Sequence, residues 1–241
     1  MLPFVSVLTP TRNRRIFIPQ LLRCYRQQDY PLDRMELLVL DDGEDPVDDL
    51  LTGVPGVRYL RHEDAQPIGL KRNVLAREAR GDILVHMDDD DYYPRERVRH
   101  AVRALGAGGA QIAGASAMYI YNLATHTIGQ TGPFGPGHAT ANTMAYTRDY
   151  LLTHRFDDTH RRGEEPAFTD DWTAPMVQLP AKSTVLMIAH GGNTFDKSRL
   201  ELRPVPYALK DLVSCKASLS FYRYQLPKLL GMASAAAGAR G

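Results

Sequence analysis

Three groups of adjacent carboxylates in this sequence could do chemistry. Asp88, Asp89, Asp90 and Asp91 form an unbroken run inside DILVHMDDDDYYPRERV (82–98), Asp41 and Asp42 precede Gly43, and Glu164 and Glu165 follow Gly163. Crowded like charges repel, and a pair at ~4 Å costs roughly 4 kcal/mol at an effective dielectric near 20. The run therefore needs a positive partner. Oxygen donors suit Mg²⁺ or Mn²⁺, which bind one or two carboxylates together with substrate phosphates. In an extended segment, residues i and i+2 share a face at a spacing of about 6.6 Å. Asp88 and Asp90 are then expected to face a ligand together, with Asp89 and Asp91 on the opposite side. The competing reading is a solvated acidic loop at the start of the helix headed by Pro94. Placement directly after an apolar strand pattern favours the metal.

The elements around these residues decide where they converge. FVSVLTP (4–10), MELLVLDDG (35–43), GVRYLRH (56–62) and DILVHM (82–87) read as strands. IFIPQLLRCYRQQ (16–28) is partly in helical register, GLKRNVLAREARG (69–81) reads as a helix stopped by Gly81, and PRERVRHAVRAL (94–105) reads as a helix with Pro94 in its first turn. Alternation of strands and helices implies a layered α/β sheet with parallel pairing. Ligands of such sheets bind outside the carboxyl ends of the strands. TPTRN, DDG and DDDD all stand at such ends. In the second half, 111–132 reads as two strands around a turn, 163–179 as a short helix between loops, and 183–195 as a strand running into glycines. A helical pattern continues from Pro204 to Pro227, and the small residues at 233–241 are expected to fray.

Composition narrows the classes. The chain has 241 residues, is 44% hydrophobic and carries a net charge of +1, so bulk charge points to no nucleic-acid partner. Its cysteines, Cys24 and Cys215, form neither a disulfide framework nor a metal-type spacing, which fits a reduced, cytoplasmic setting. The opening MLPFVSVLTPTRNRR lacks signal-peptide features, and no run approaches the ~20 apolar residues of a membrane span. SFYRYQLPKLL is read as packing on the domain, with peripheral contact to a membrane or partner as the alternative.

VSVLTPTRN, LLVLDDG, GLKRNVLAREARGDILVHMDDDD and GEEPAF occur in the order found in family 2 glycosyltransferases. The sequence resembles that family over about residues 3–200. The resemblance implies a GT-A fold: a Rossmann-like, mixed but mostly parallel sheet flanked by helices. It implies one domain over 1–203, with a nucleotide-binding half at 1–105 and an acceptor-binding half at 106–203. A C-terminal helical extension covers 204–241. The implied activity is transfer of a sugar from a nucleotide-diphosphate sugar to a hydroxyl acceptor, carbohydrate or lipid-linked, with inversion and with Mn²⁺ or Mg²⁺.

The resemblance also assigns roles. Thr9, Pro10 and Thr11 would line the nucleotide base, with Arg12 where many members have an aromatic residue. Asp42 would accept a hydrogen bond from the base, with Asp41 beside it. Lys71 and Arg72 would lie near the base or diphosphate. Asp88 would approach the ribose and Asp90 the metal, with Asp89 as the register alternative. Glu165 or Glu164 would be the general base. His190 stands where some related GT-A enzymes place a third metal ligand; the other reading is a structural histidine. Asn193 and Lys197 are diphosphate candidates, His138 and Asn142 acceptor candidates, and His86 a core or supporting residue. Two other functions compete. A nucleotidyltransferase would need a glycine-rich loop after the first strand, which TPTRNRR lacks. A binding module with a dead site would not need acids at every expected position.

Overall fold

The computed structural model describes residues 2–193, 197 and 200–232. The expectation for 233–241 lies outside them. Four strands appear in the first half: β1 (Val5–Thr11), β2 (Met35–Asp41), β3 (Val57–Arg61) and β4 (Ile83–His86). Every residue of β1, β2 and β4 is buried. That is why they read as nearly continuous apolar runs: parallel strands covered on both faces have no solvent side. β3 is half-exposed at the sheet edge and carries Arg58 and Arg61.

Between these strands run α1 (Ile18–Arg26), α2 (Asp48–Leu51) and α3 (Ile68–Glu78), and α4 (Arg97–Gly106) follows β4. The buried stripe of α4, Arg97, Val98, Ala101 and Leu105, has helical spacing. Pro94 does not head this helix; it accepts a turn bond from Arg97 N–H three residues before the helix is established. Gly81 is not the stop of α3 either. The helix ends at Glu78 with Ala79 as its cap, and Gly81 lies so close to β1 that a Cβ would stand 2.5 Å from Ser6 N. Its glycine is there for close approach, not for a left-handed cap.

The second half supplies β5 (Ile112–Gly114), β6 (Met118–Asn122), β7 (Thr127–Thr131), β8 (Ala145–Thr147), the four-residue α5 (Glu165–Phe168), β9 (Met176–Gln178), β10 (Leu186–Ala189) and β11 (Arg203–Pro204). The main sheet has seven strands in the order β3-β2-β1-β4-β8-β5-β9. β3, β2, β1 and β4 are parallel, β8 runs antiparallel to both its neighbours, and β5 and β9 are parallel. The order reverses at β1, so the carboxyl ends of β1 and β4 open a crevice at a topological switch point. A second sheet, β10-β6-β7-β11, lies beside it. A bridge between Tyr92 and Leu186 ties the aspartate run to β10.

Two apolar clusters cover the faces of the main sheet. One gathers α1, α4 and residues 209–226; the other gathers α3 with Tyr146, Tyr150, Phe156 and Phe168. The C-terminal segment forms α6 (Leu209–Leu212), α7 (Lys216–Ser220), a π-helical turn (Phe221–Gln225) and α8 (Leu226–Leu229). The helix does not stop before Pro227. The wider turn ahead of it accommodates a residue that has no N–H to give. Phe221, Tyr222 and Leu226 are buried, while Tyr224 and Leu229 are exposed. Among the described residues, no helix is long and apolar enough to cross a membrane.

Candidate active site

A cavity of about 660 Å³ opens at the switch point. Pro10, Thr11, Arg12 and Arg14 line it from the end of β1, and Asp88–Asp91 from the end of β4. Gln66, Lys71 and Arg72 line it from α3 and the loop before it, and Asn142, Glu164 and Glu165 from the second half. Of the residues expected there, Thr9, Asp41, Asp42 and His190 do not line the cavity. Thr9 donates its hydroxyl to Met87 O at 2.6 Å and so ties β1 to β4. Asp41 closes the turn after β2, accepting from Gly43 N, Val47 N and the Tyr59 hydroxyl. It is an Asx-type anchor.

The aspartates are not in extended chain. The backbone turns at 89–90, so alternation does not sort them into two faces. Each carboxylate instead has its own partners. Asp88 meets Arg72 Nη1 at 3.3 Å and is the most exposed of the four, at 28%. Asp89 accepts from Thr11 Oγ1 at 2.5 Å. Asp90 Oδ2 accepts from Arg14 Nη1 at 2.7 Å, Asn193 Nδ2 at 3.1 Å and His190 Nε2 at 3.2 Å. Asp91 accepts from Asn142 Nδ2 at 2.7 Å, Ile188 N at 2.9 Å and Lys197 Nζ at 3.2 Å. The protein's own cations and amides thus offset the repulsion.

Protonation follows these partners. Burial, helped by the neighbouring Asp90, pushes the Asp89 carboxyl up to about 7. Burial pushes Asp90 the same way, but Lys197, His190 and Arg14 outweigh it and hold its carboxyl far below the usual range. The run therefore carries fewer than four full charges at neutral pH.

α3 supplies two buried cations. Lys71 Nζ donates to Asp42 Oδ1 at 2.7 Å and to Thr11 O at 3.1 Å, and burial lowers its pKa. Asp42 Oδ2 takes Gln66 N–H at 2.7 Å, so both Asp42 oxygens are engaged inside the protein. Arg72 is a hub. Its Nε donates to Glu164 Oε1 at 2.8 Å, and its Nη1 reaches both Asp88 and His86 Nδ1. His86 is fully buried, with Tyr146 on its other nitrogen, and burial plus Arg72 holds it well below the usual imidazole range. It supports Arg72 as a neutral acceptor.

The glutamates divide. Glu164 is 4% exposed and committed to Arg72. Glu165, the first residue of α5, accepts one hydrogen bond, from Ala141 N to Oε1 at 3.1 Å, and lines the cavity. Burial and the Glu164 charge raise its pKa. Further round the rim, His138 stacks on Trp172, with ring centroids 4.4 Å apart, and lies tilted against the exposed Phe134 at 4.8 Å.

Sequence reasoning missed Arg14, Gln66, Tyr93 and Tyr222. Arg14 is swung into the site by Asn13, which takes a left-handed conformation (φ 54°). Such a conformation is uncommon outside glycine and is best tolerated by Asn. Tyr93 accepts Asp88 N–H at 2.7 Å, and Tyr222 donates to Asp91 O at 2.9 Å. Lys197, expected near the diphosphate, lines the cavity, with its Nζ held between Asp91 Oδ1 and Ile188 O.

The profile described as Glycosyl transferase family 2 matches residues 6–161, which holds β1–β4, the acidic run and β8. The chain belongs to this family. Among curated relatives, it is 32% identical over 104 residues to the poly(ribitol-phosphate) beta-N-acetylglucosaminyltransferase TarS of Staphylococcus aureus, covering 40% of this chain and 18% of TarS. It is 26% identical over 125 residues to the glycosyltransferase AglE of Haloferax volcanii, covering 50% of this chain and 41% of AglE. The matches thus span less than half the length of these relatives.

Solved structures extend the likeness to the fold of this family 2 chain. TarS 1–349 in complex with UDP-GlcNAc superposes with a TM-score of 0.63 at 20% identity, covering 81% of this chain and 60% of that one. The mannosyltransferase PcManGT of Pyrobaculum calidifontis, in complex with GDP-Man and Mn²⁺, superposes with a TM-score of 0.62 at 16% identity, covering 80% and 59%. The fold is GT-A, with the parallel-rich mixed sheet the sequence implied.

Proposed function

We propose that the chain transfers a sugar from a nucleotide-diphosphate sugar to a hydroxyl acceptor, with Glu165 as general base and inversion at the anomeric carbon. One observation carries this reading. A single cavity at the β1/β4 switch point has the acidic run on one wall and a carboxylate with raised pKa on another. Family membership and the nucleotide sugars held by TarS and PcManGT support it.

Asp90 and His190 are the residues that would hold a divalent cation, Mn²⁺ or Mg²⁺, once other donors leave Asp90 Oδ2. Asp90 Oδ2 and His190 Nε2 are 3.2 Å apart. Neighbouring ligands of an octahedral ion with ~2.1 Å bonds stand about 3 Å apart, and such ions complete their shell with phosphate and water. Among the described residues no third His, Cys, Asp or Glu joins these two. Asp88 is turned toward Arg72 and is not part of the set. When bound, the cation would offset charge on the departing nucleoside diphosphate.

The protein's own groups do the rest. Pro10, Thr11 and Arg12 form the wall on which the nucleotide rests, and Lys71 and Gln66 hold Asp42 in place beside it. Arg72, neutral His86 and Glu164 fix the position of Asp88. The free oxygen of Glu165 takes the proton of the acceptor hydroxyl as that oxygen attacks the anomeric carbon. The hydrogen bond from Ala141 leaves Oε1 as the anchored atom and Oε2 as the basic one. Glu165→Gln tests this assignment: it is expected to bind donor as wild type does and to transfer at least a hundredfold more slowly. Substantial transfer by this variant would move the base elsewhere.

A further inference from the structure

Arg14 holds two groups at once. Its Nη1 donates to Asp90 Oδ2 at 2.7 Å, and its Nη2 donates to Gly192 O at 2.6 Å. The guanidinium lies 5.6 Å from the Phe17 ring centroid, and Phe17 stacks on His190 at 5.0 Å. Gly192 is also engaged through its nitrogen, since its N–H donates to His190 Nδ1 at 3.2 Å. With Nδ1 accepting, Nε2 carries the ring hydrogen, and it is Nε2 that meets Asp90.

This resting arrangement is closed to a cation. A ring nitrogen bearing hydrogen has no lone pair to offer a metal. For His190 to bind one through Nε2, the hydrogen must sit on Nδ1 instead. Gly192 N–H can no longer face Nδ1 once both carry hydrogen, so its surroundings must rearrange. The space beside it is open: a Cβ on Gly191 would meet nothing within 4 Å. A shift of Gly192 disturbs the carbonyl that Arg14 grips, and Arg14 also occupies the Asp90 oxygen facing His190. Release of Arg14 therefore takes one of its donors off Asp90 Oδ2, leaving Asn193, and frees the Gly192 carbonyl so that the Gly192 N–H can turn away from His190.

We propose that Arg14 is a latch on the cation site, bridging Asp90 and Gly192 until a nucleoside diphosphate draws it away. The inference rests on the cation site proposed above. Arg14 lines the donor cavity, and a guanidinium matches the paired oxygens of a diphosphate as well as it matches a carboxylate. Donor and cation then bind as a coupled pair, and the coupling is reciprocal.

The test is Mn²⁺ binding by the full chain, followed by the electron-paramagnetic-resonance signal of free Mn²⁺, alone and with UDP or GDP. Wild type is expected to bind Mn²⁺ roughly tenfold more tightly with the matching nucleotide than without it, within the usual range of coupling between sites. Arg14→Ala is expected to bind Mn²⁺ alone several-fold more tightly than wild type and to lose most of the nucleotide's effect. Arg14→Lys keeps the charge but cannot bridge both partners, so it is also expected to bind Mn²⁺ alone more tightly. If wild type takes up Mn²⁺ with nucleotide and both variants match it in every condition, or bind Mn²⁺ alone less tightly, the latch is wrong and the cation site stands. If none of the three proteins binds Mn²⁺ with either nucleotide, the cation site fails and the latch with it.

Discussion

The Tyr222 hydroxyl donates to the backbone carbonyl of Asp91 across 2.9 Å, fastening the C-terminal helical segment to the aspartate turn. Tyr222 is fully buried and packs edge-on against Tyr92, at 6.2 Å between centroids. Tyr92 in turn exchanges backbone hydrogen bonds with Leu186 of β10. The segment after residue 204 is thus part of the foundation of the site. Tyr222→Phe is expected to lower the unfolding free energy by about 1 kcal/mol, the usual worth of one buried hydrogen bond. Tyr222→Ala should cost roughly 3–5 kcal/mol, as for other large-to-small aromatic truncations. Urea denaturation reads both, and wild-type stability in Tyr222→Ala would contradict the packing role.

Glu165 gives a pH prediction. Its folded pKa is raised above 4.5 by burial and by Glu164. A base must be ionised, so transfer is expected to fall as pH drops through that raised value, giving an acid limb above the ordinary glutamate range. The stability sign is the reverse of the usual carboxylate case. Here the charged form is disfavoured in the folded state, so stability is lost as pH rises from the unfolded pKa and levels off above the folded one. Glu165→Gln removes that penalty and should melt at a higher temperature than wild type at pH 7, with equal melting at pH 4. A lower melting temperature at pH 7 would contradict the raised pKa.

Arg72 and Glu164 form a pair whose side chains are 5% and 6% exposed. Removing one partner of a buried pair typically costs about 3–5 kcal/mol, because the other charge is left alone. Arg72→Met is therefore expected to be severely destabilised in chemical denaturation. Arg72→Met with Glu164→Leu should recover a large part of the loss. A double variant no more stable than the single would show that Asp88, not Glu164, is the partner that matters.

The parallel half of the sheet was legible because β1, β2 and β4 are buried on both faces and leave unbroken apolar runs. The convergence of TPTRN, DDG and DDDD followed from the rule that parallel strands present their carboxyl ends together. Side-chain direction was not legible. It depends on a turn at 89–90 and on one left-handed residue, Asn13, and neither leaves a periodic signal. The commitment of Asp41 to its own turn and of Lys197 to Asp91 depends on contacts between segments distant in sequence. The helix running through Pro227 was hidden because a π turn removes the conflict that proline usually creates.

A nucleotide-sugar site at the β1/β4 crevice is the central claim, and donor binding tests it most directly. Calorimetric titration of UDP- and GDP-sugars into the full chain, with and without Mn²⁺, is expected to give saturable binding of at least one donor in Mn²⁺. Asp90→Asn should weaken that binding by tenfold or more, in line with the usual coupling between bound ligands. No binding of any nucleotide sugar by wild type, with Mn²⁺ present, would contradict the account.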